Sequence, residues 1–228
     1  MSKSGGPRST EEAARIQREL AGRVLLPATG CLLPATVAGL DVSYSTESDR
    51  LVAAAVLVEV DSGRLIAEAV SDGVAAFPYS PGLLAFREVP FLMEVLERLP
   101  ATPDLVLCDG HGLTHPRRCG VACHLGVLTC LPSIGCAKTR FVGEHAEPGS
   151  RRGDRVPLTD AGEIIGEVLR TQDDTKPVYV SPGHRIGIAQ SSDVVLSLCS
   201  DFRLPDPIRR ADHISRLALK SGGPPTSR

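Results

Sequence analysis

Three acids, Asp41, Glu88 and Asp109, stand where carboxylates can act together: each lies at or just beyond an apolar strand pattern or at a turn into a helix. Asp109 ends the apolar run DLVLCD and is followed at once by GHG. A strand that ends in an acid and breaks into glycines places that acid at the carboxyl edge of a sheet, where open α/β folds bind their ligands. Taken singly, each acid has an ordinary structural explanation. Asp41 reads as a polar strand end, Glu88 as a helix-capping acid ahead of Pro90, and Asp109 as a turn-former. Gathered on one sheet edge they would make an all-oxygen cage, and hard carboxylate ligands select magnesium or manganese over zinc.

His115 stands six positions past Asp109, beyond glycines that let the chain turn back. A neutral imidazole there suits the proton acceptor or orienting group that a metal-bound water needs near pH 7. His111 and His115 are four apart, but the glycine between them denies that spacing a helical geometry, which argues against a zinc pair. Lys138 follows the apolar run SIGCA and would neutralise a phosphate or its leaving oxygen; the plainer reading is a surface lysine at a strand end. Arg117, Arg118, Lys138, Arg140, Arg151, Arg152 and Arg155 crowd into the central third, a local phosphate-facing patch or a solvated loop.

The elements that must position these groups are legible in order. Ser9 with Glu12 three later reads as a capping box opening a helix that ends near Arg23. TVAGLDVSYS, LVAAAVLVEV and RLIAEAVS are strands with connections too short for a crossover helix, hence an antiparallel meander turning through Asp61, Ser62 and Gly63. Pro78 and Pro81 bracket Tyr79 and Ser80 in a stiff turn. Pro90 suits the first turn of a helix carrying Phe91, Val95 and Leu99 on one face. DLVLCD, a helix near Arg118 to Gly126, and an apolar run at Val127 to Cys130 or Ile134 to Ala137 form a strand-helix-strand unit with parallel strands. Residues 143–157 read as a surface loop, GEIIGEVLRT and KPVYVS as a hairpin, and helices follow over Ile188 to Cys199 and Pro205 to Lys220. The expected fold class is α/β: a mixed sheet, antiparallel meander plus parallel strands, flanked by helices in the ribonuclease H-like layout.

Bulk properties bound the function. At 228 residues one catalytic domain over 1–220 is expected, with 221–228 a disordered tail. Hydrophobic residues at 42% and charged residues at 23% are ordinary for a globular chain, and a net charge of −2 argues against nucleic-acid binding by general basicity. Seven cysteines without a CxxC pair read as reduced core thiols in a cytoplasmic protein. With no apolar signal core and no run of about 18 apolar residues, no membrane association is expected.

With these residues in view, the blocks AGLDVSYS, PYSPGLLAFRE, DLVLCDGHGLTHPRRCGVACHLGV, PSIGCAKTR, PVYVSPGHRIGI and LPDPIRRADHISR resemble the endonuclease V family, in its order, over roughly residues 38–216. The resemblance implies a ribonuclease H-like fold and magnesium-dependent hydrolysis, with manganese as a substitute, of the second phosphodiester bond 3′ to deoxyinosine, leaving 3′-hydroxyl and 5′-phosphate ends. It gives metal-ligand roles to Asp41 and Asp109, with Glu88 completing the acidic site, and matches His115, Lys138 and Asp212 to further active-site positions. The turn Pro78, Tyr79, Ser80, Pro81 corresponds to a strand-separating wedge. A backbone-lined base pocket corresponds to Gly82, Leu84, Gly110, Gly112 and Gly120. His111 departs from the glutamine common in the family. The implied partner is DNA containing deaminated purines, or inosine-containing RNA, met by a monomer. Two rivals remain: a non-catalytic binder of deaminated or structured nucleic acid, and a phosphatase or phosphotransferase acting on small molecules.

Overall fold

The computed structural model describes residues 6–27 and 34–221. Cys31 and the tail from residue 222 lie outside them. The first helix, α1 (Thr10–Ala21), begins as its sequence predicts: Ser9 Oγ accepts from the Glu12 amide at 3.2 Å. The reciprocal arm closes one residue earlier than a standard capping box, with Glu12 Oε2 accepting from the Arg8 amide at 2.8 Å.

Three apolar runs with short connections give the meander β1 (Thr36–Tyr44), β2 (Arg50–Glu59) and β3 (Leu65–Val74), antiparallel throughout. Then follow α2 (Ala85–Glu97), β4 (Leu105–Asp109), α3 (Val121–Thr129), β5 (Ser133–Ala137), β6 (Arg155–Asp160), β7 (Glu163–Leu169), β8 (Val178–His184), α4 (Ile188–Ser197) and α5 (Asp206–Ser221). All eight strands join one sheet in the order β3-β2-β1-β4-β5-β8-β7-β6. The β1–β4 and β4–β5 pairs are parallel and the rest antiparallel, the ribonuclease H-like arrangement.

Strand alternation sorts the core into two layers. Val37, Leu105 and Leu107 face α4 and α5, meeting Val194, Val195, Ile208 and Ala211. Ala38, Leu40, Val106 and Cys108 face α2 and α3, meeting Val89, Leu92, Val121 and Leu125. β1 and β4, buried on both sides, therefore form the rigid spine that carries Asp41, within β1, and Asp109, at the end of β4.

Several boundaries differ from the sequence reading for identifiable reasons. Helix α2 starts at Ala85 with Leu84 as its N-cap, so Pro90 lies inside the helix and Glu88 in its first turn rather than ahead of it. No side chain caps that end, which removes the usual signal and leaves proline as a misleading start marker. Helix α3 begins at Val121, not Arg118, because Arg118 adopts a positive φ of 52° that no helix accommodates. Residues 155–157, read as loop, open β6, which pairs with β7. Pro157 disguised this strand, yet β6 is the sheet edge, where proline is tolerated. The hairpin turn also hid itself. Ala161 (φ 52°) and Gly162 (φ 81°) take the two left-handed positions usually marked by Asn-Gly or Asp-Gly.

Candidate active site

Parallel pairing of β1 with β4 sets Leu40 opposite Cys108, so the residue that follows each, Asp41 within β1 and Asp109 at the end of β4, stands beside the other. Both belong to the strand face that meets α5: Asp41 is 8% exposed, and its Oδ2 accepts from Ser215 Oγ on α5 at 3.4 Å. Lys138, the residue after β5, ion-pairs with Asp109 through Nζ. Glu88 approaches from the opposite layer on α2, where the Tyr44 hydroxyl donates to its Oε1 at 2.9 Å. Asp212 stands on α5, paired with Arg216 Nε at 2.8 Å, and its charge is felt at both Asp41 and Lys138. Asp41, Glu88, Asp109 and Asp212, drawn from four elements, and Lys138 just after β5 thus share one electrostatic neighbourhood.

That neighbourhood is short of positive charge. Burial, then the Asp109 carboxylate, raises the Asp41 carboxyl well above the ordinary range. Burial pushes Glu88 up to about 8, the Tyr44 hydrogen bond opposing and the charges of Asp41 and Asp109 adding. Such a donor set, all oxygen and mutually repelling, fits a hard divalent cation, whose charge would remove the penalty. Among the described residues no group of three His, Cys, Asp or Glu side chains already stands as a metal cage. Glu88 is held by Tyr44 and Asp109 by Lys138, so metal binding would require these side chains to turn.

Beside the acids opens a cleft of about 400 Å³. Its walls are the turn Tyr79, Ser80, Pro81, Gly82; the α2 start, Leu84 and Ala85; the loop residues Gly110, His111, His115 and Gly120; and Thr139, Arg140 and Phe141 after β5. Glu88 and Asp109 line it too, so cleft and acidic pole are continuous. Tyr79 projects at the rim with 71% of its surface exposed.

The turn is held from behind through one carbonyl. Gly82 O accepts from Gln17 Nε2 at 2.9 Å, His115 Nε2 at 2.9 Å and Arg117 Nη2 at 2.8 Å. Its φ of +75° requires glycine. Because a carbonyl only accepts, His115 carries its proton on Nε2, and Nδ1 in turn accepts from the Arg117 amide at 3.1 Å. Burial lowers His115 to about 4, so the ring is neutral, with both nitrogens engaged within the protein. Acting on a water would require the Gly82 bond to open.

Two expected pocket residues stand elsewhere. Gly112 lies behind the wall, its amide donating to Ser181 Oγ at 2.9 Å, where an added Cβ would fall 2.2 Å from Pro182 O. Pro78 is outside the lining as well. The basic patch is largely occupied by structural work. Arg118 pairs with Asp160 and Glu163, Arg155 with Glu167 and Asp193, and Arg152 donates to the Thr171 and Leu196 carbonyls. Arg140 alone of that group, beside the clamping Arg117, reaches the cleft lining.

Sequence reasoning missed Gln17. It is 1% exposed, bonds both Gly82 O and Cys119 O at 2.9 Å, and accepts from Arg117 Nε at 2.6 Å. A signal existed: Ala13, Gln17 and Leu20 form the buried stripe of α1, and an amide on such a stripe needs polar partners. Phe141 and His111 were also not assigned to the cleft, since nothing local to either ties it to the turn at 78–82.

Known proteins resemble this chain in sequence and fold. Residues 18–213 match the family model described as Endonuclease V. The Endonuclease V of Streptomyces avermitilis is 47% identical over 223 residues, covering 95% of each chain. A crystal structure of the Streptomyces avermitilis Endonuclease V superposes with a TM-score of 0.91 at 46% identity, covering 96% of both chains. The Endonuclease V of Ciona intestinalis, in complex with a 24mer DNA containing an inosine followed by a ribo-adenosine, gives a TM-score of 0.82 at 28% identity, covering 92% of this chain and 98% of that one. With the family model spanning most of its length and close relatives matched end to end, the chain belongs to the endonuclease V family.

Proposed function

We propose that this chain is a magnesium-dependent endonuclease of DNA repair that hydrolyses the second phosphodiester bond 3′ to deoxyinosine, leaving 3′-hydroxyl and 5′-phosphate ends. The observation that carries the reading is the continuity of a base-sized cleft, rimmed by the exposed Tyr79, with the acidic pole of Asp41, Glu88 and Asp109. The Ciona relative in complex with inosine-containing DNA supports the substrate class, and the ribo-adenosine in that oligonucleotide makes inosine-containing RNA a substrate to test as well.

In this mechanism Tyr79, framed by Pro78, Ser80 and Pro81, fills the space left by the displaced base, at a cost of a few kcal/mol of unstacking. Gly82, Leu84, Gly110 and Gly120 line the space that receives the base, and Gly112 supports that wall from behind. His115 serves by fixing the turn at Gly82. Asp41, Asp109 and Glu88 would hold magnesium, or manganese in its place, and the bound cation would supply an activated water and charge stabilisation at the phosphate. Lys138 leaves Asp109 to neutralise the phosphate, and Asp212 on α5 holds the field on the far side of the pole. The chain acts as a cytoplasmic monomer with reduced thiols. The six described cysteines are free, and among the described residues no helix is long and apolar enough to cross a membrane.

The experiment compares inosine-containing and matched undamaged oligonucleotides, with magnesium and with chelator. Cleavage confined to the inosine strand and lost on chelation is expected. Equal cleavage of both, or cleavage that survives chelation, would overturn the proposal.

A further inference from the structure

A buried chain of hydrogen bonds decides which nitrogen of His111 carries its proton. The Gly112 amide can only donate, so Ser181 Oγ accepts from it at 2.9 Å. The other hydrogen-bond neighbour of that hydroxyl is Thr114 Oγ1, also at 2.9 Å, and Thr114 Oγ1 lies 2.9 Å from His111 Nδ1. Ser181 and Thr114 are both fully buried. If His111 donated to Thr114 and Thr114 to Ser181, the serine proton would have no acceptor among the described residues, and a buried donor left unpaired is unfavourable. In the opposite order every proton is placed: Gly112 to Ser181, Ser181 to Thr114, Thr114 to His111 Nδ1. The imidazole then holds its own proton on Nε2.

That nitrogen has no hydrogen-bond partner among the described residues, and the half-buried ring forms part of the cleft wall beside Gly110 and Asp109. Phe141 packs against the ring at 5.5 Å between centroids, tilted by 37°, which restrains its plane. The result is a donor fixed in direction by three buried groups and open to whatever enters the cleft.

We propose that His111 is a specificity-determining residue whose Nε2–H donates to the 6-keto oxygen of the base held in the cleft. The inference rests on the reading that this cleft receives a deaminated purine. Hypoxanthine presents an acceptor at position 6, whereas adenine presents an amino group whose protons would oppose the His111 donor. Guanine shares the keto oxygen, so His111 separates hypoxanthine from adenine and not from guanine.

The test measures cleavage of strands carrying deoxyinosine against strands carrying purine deoxyriboside, which lacks any group at position 6, for the full chain, His111→Ala and His111→Gln. The inosine preference should fall about tenfold in His111→Ala, the value of one hydrogen bond of about 1.4 kcal/mol. It should return in His111→Gln, whose amide restores a donor. An unchanged preference in His111→Ala overturns the inference. If the unaltered chain fails to cleave inosine strands at all, the functional reading itself falls, a result distinct from an unchanged preference. Nitrogen-15 NMR of the unaltered protein reads the tautomer without any variant: a proton on Nε2 is expected, and a proton on Nδ1 overturns the inference.

Discussion

The acidic pole and the cleft beside it are built on opposite electrostatic terms. At the pole, Asp41 and Glu88 are buried carboxyls that favour the protonated form, since burial and mutual repulsion oppose their charge. In the cleft, the half-buried His111 and the buried His115 are imidazoles that desolvation lowers to about 4, favouring the deprotonated form. The turn that walls the cleft is held within the protein, clamped by three donors on Gly82 O. The pole has Lys138 as its contacting cation and is left incomplete. The difference teaches a division of labour: the cleft is preorganised before substrate arrives, whereas the pole stores repulsion that a cation relieves.

The sharpest way to break this division is Asp109→Ala. Cleavage of inosine strands should fall by at least about 10³-fold. Inosine-specific binding, followed by fluorescence anisotropy, should persist because the clamp on Gly82 is untouched. Surviving cleavage would remove the pole from the chemistry.

The opposed titrations give a second prediction, read as thermal midpoint against pH in chelator. Between about pH 4 and 8 the folded chain binds more protons at Asp41 and Glu88 than the unfolded one. Stability therefore falls as pH rises through that window, by about 1.4 kcal/mol per pH unit for each fully titrating group. The histidines act in the other sense. Between pH 6.5 and about 4 the unfolded chain binds the extra protons, so stability falls as pH drops. Asp41→Asn should lessen the fall across the whole window from about pH 4 to 8, and magnesium should raise stability most at its upper end, above the range in which the histidines titrate. A fall insensitive to both would contradict the stored repulsion.

Gln17→Leu probes the clamp. It leaves Arg117 Nε without its acceptor and removes donors from Gly82 O and Cys119 O, so a stability loss of about 1–3 kcal/mol is expected, with KM raised more than kcat is lowered. A kcat effect without a KM effect would tie Gln17 to the pole instead. The smallest effect belongs to Tyr79→Ala. With 71% of the residue's surface exposed, stability should be unchanged. Duplex binding should weaken by up to about tenfold, and single-strand binding less. Equal losses on both would dismiss the wedge.

Much of this was legible residue by residue. The meander and the parallel β4–β5 unit follow from continuous apolar runs with short or helical connections, and the candidate acids Asp41, Glu88 and Asp109 from their places in or beside those strands and at the turn into a helix. Where backbone torsion contradicts residue type, the sequence misled: Arg118 and Ala161 in left-handed conformations, Pro90 inside a helix and Pro157 on a strand edge. These positions are tolerated because tertiary surroundings hold them, and no local pattern records those surroundings.

The sequence by itself determined the family resemblance, the meander and the strand-helix-strand unit, and the identity of the acids, because apolar runs and motif spacing are local quantities; the pairing of β1 with β4 that joins the two units came only with the fold. Only the tertiary structure decided that Gln17 on α1 grips the turn at Gly82, 65 residues away, that Gly112 backs the wall rather than lining it, and that Ser181 and Thr114 link the Gly112 amide to His111 Nδ1. Hydrogen bonds between distant segments depend on how whole layers dock, and each such bond has a direction that only its full set of neighbours can assign.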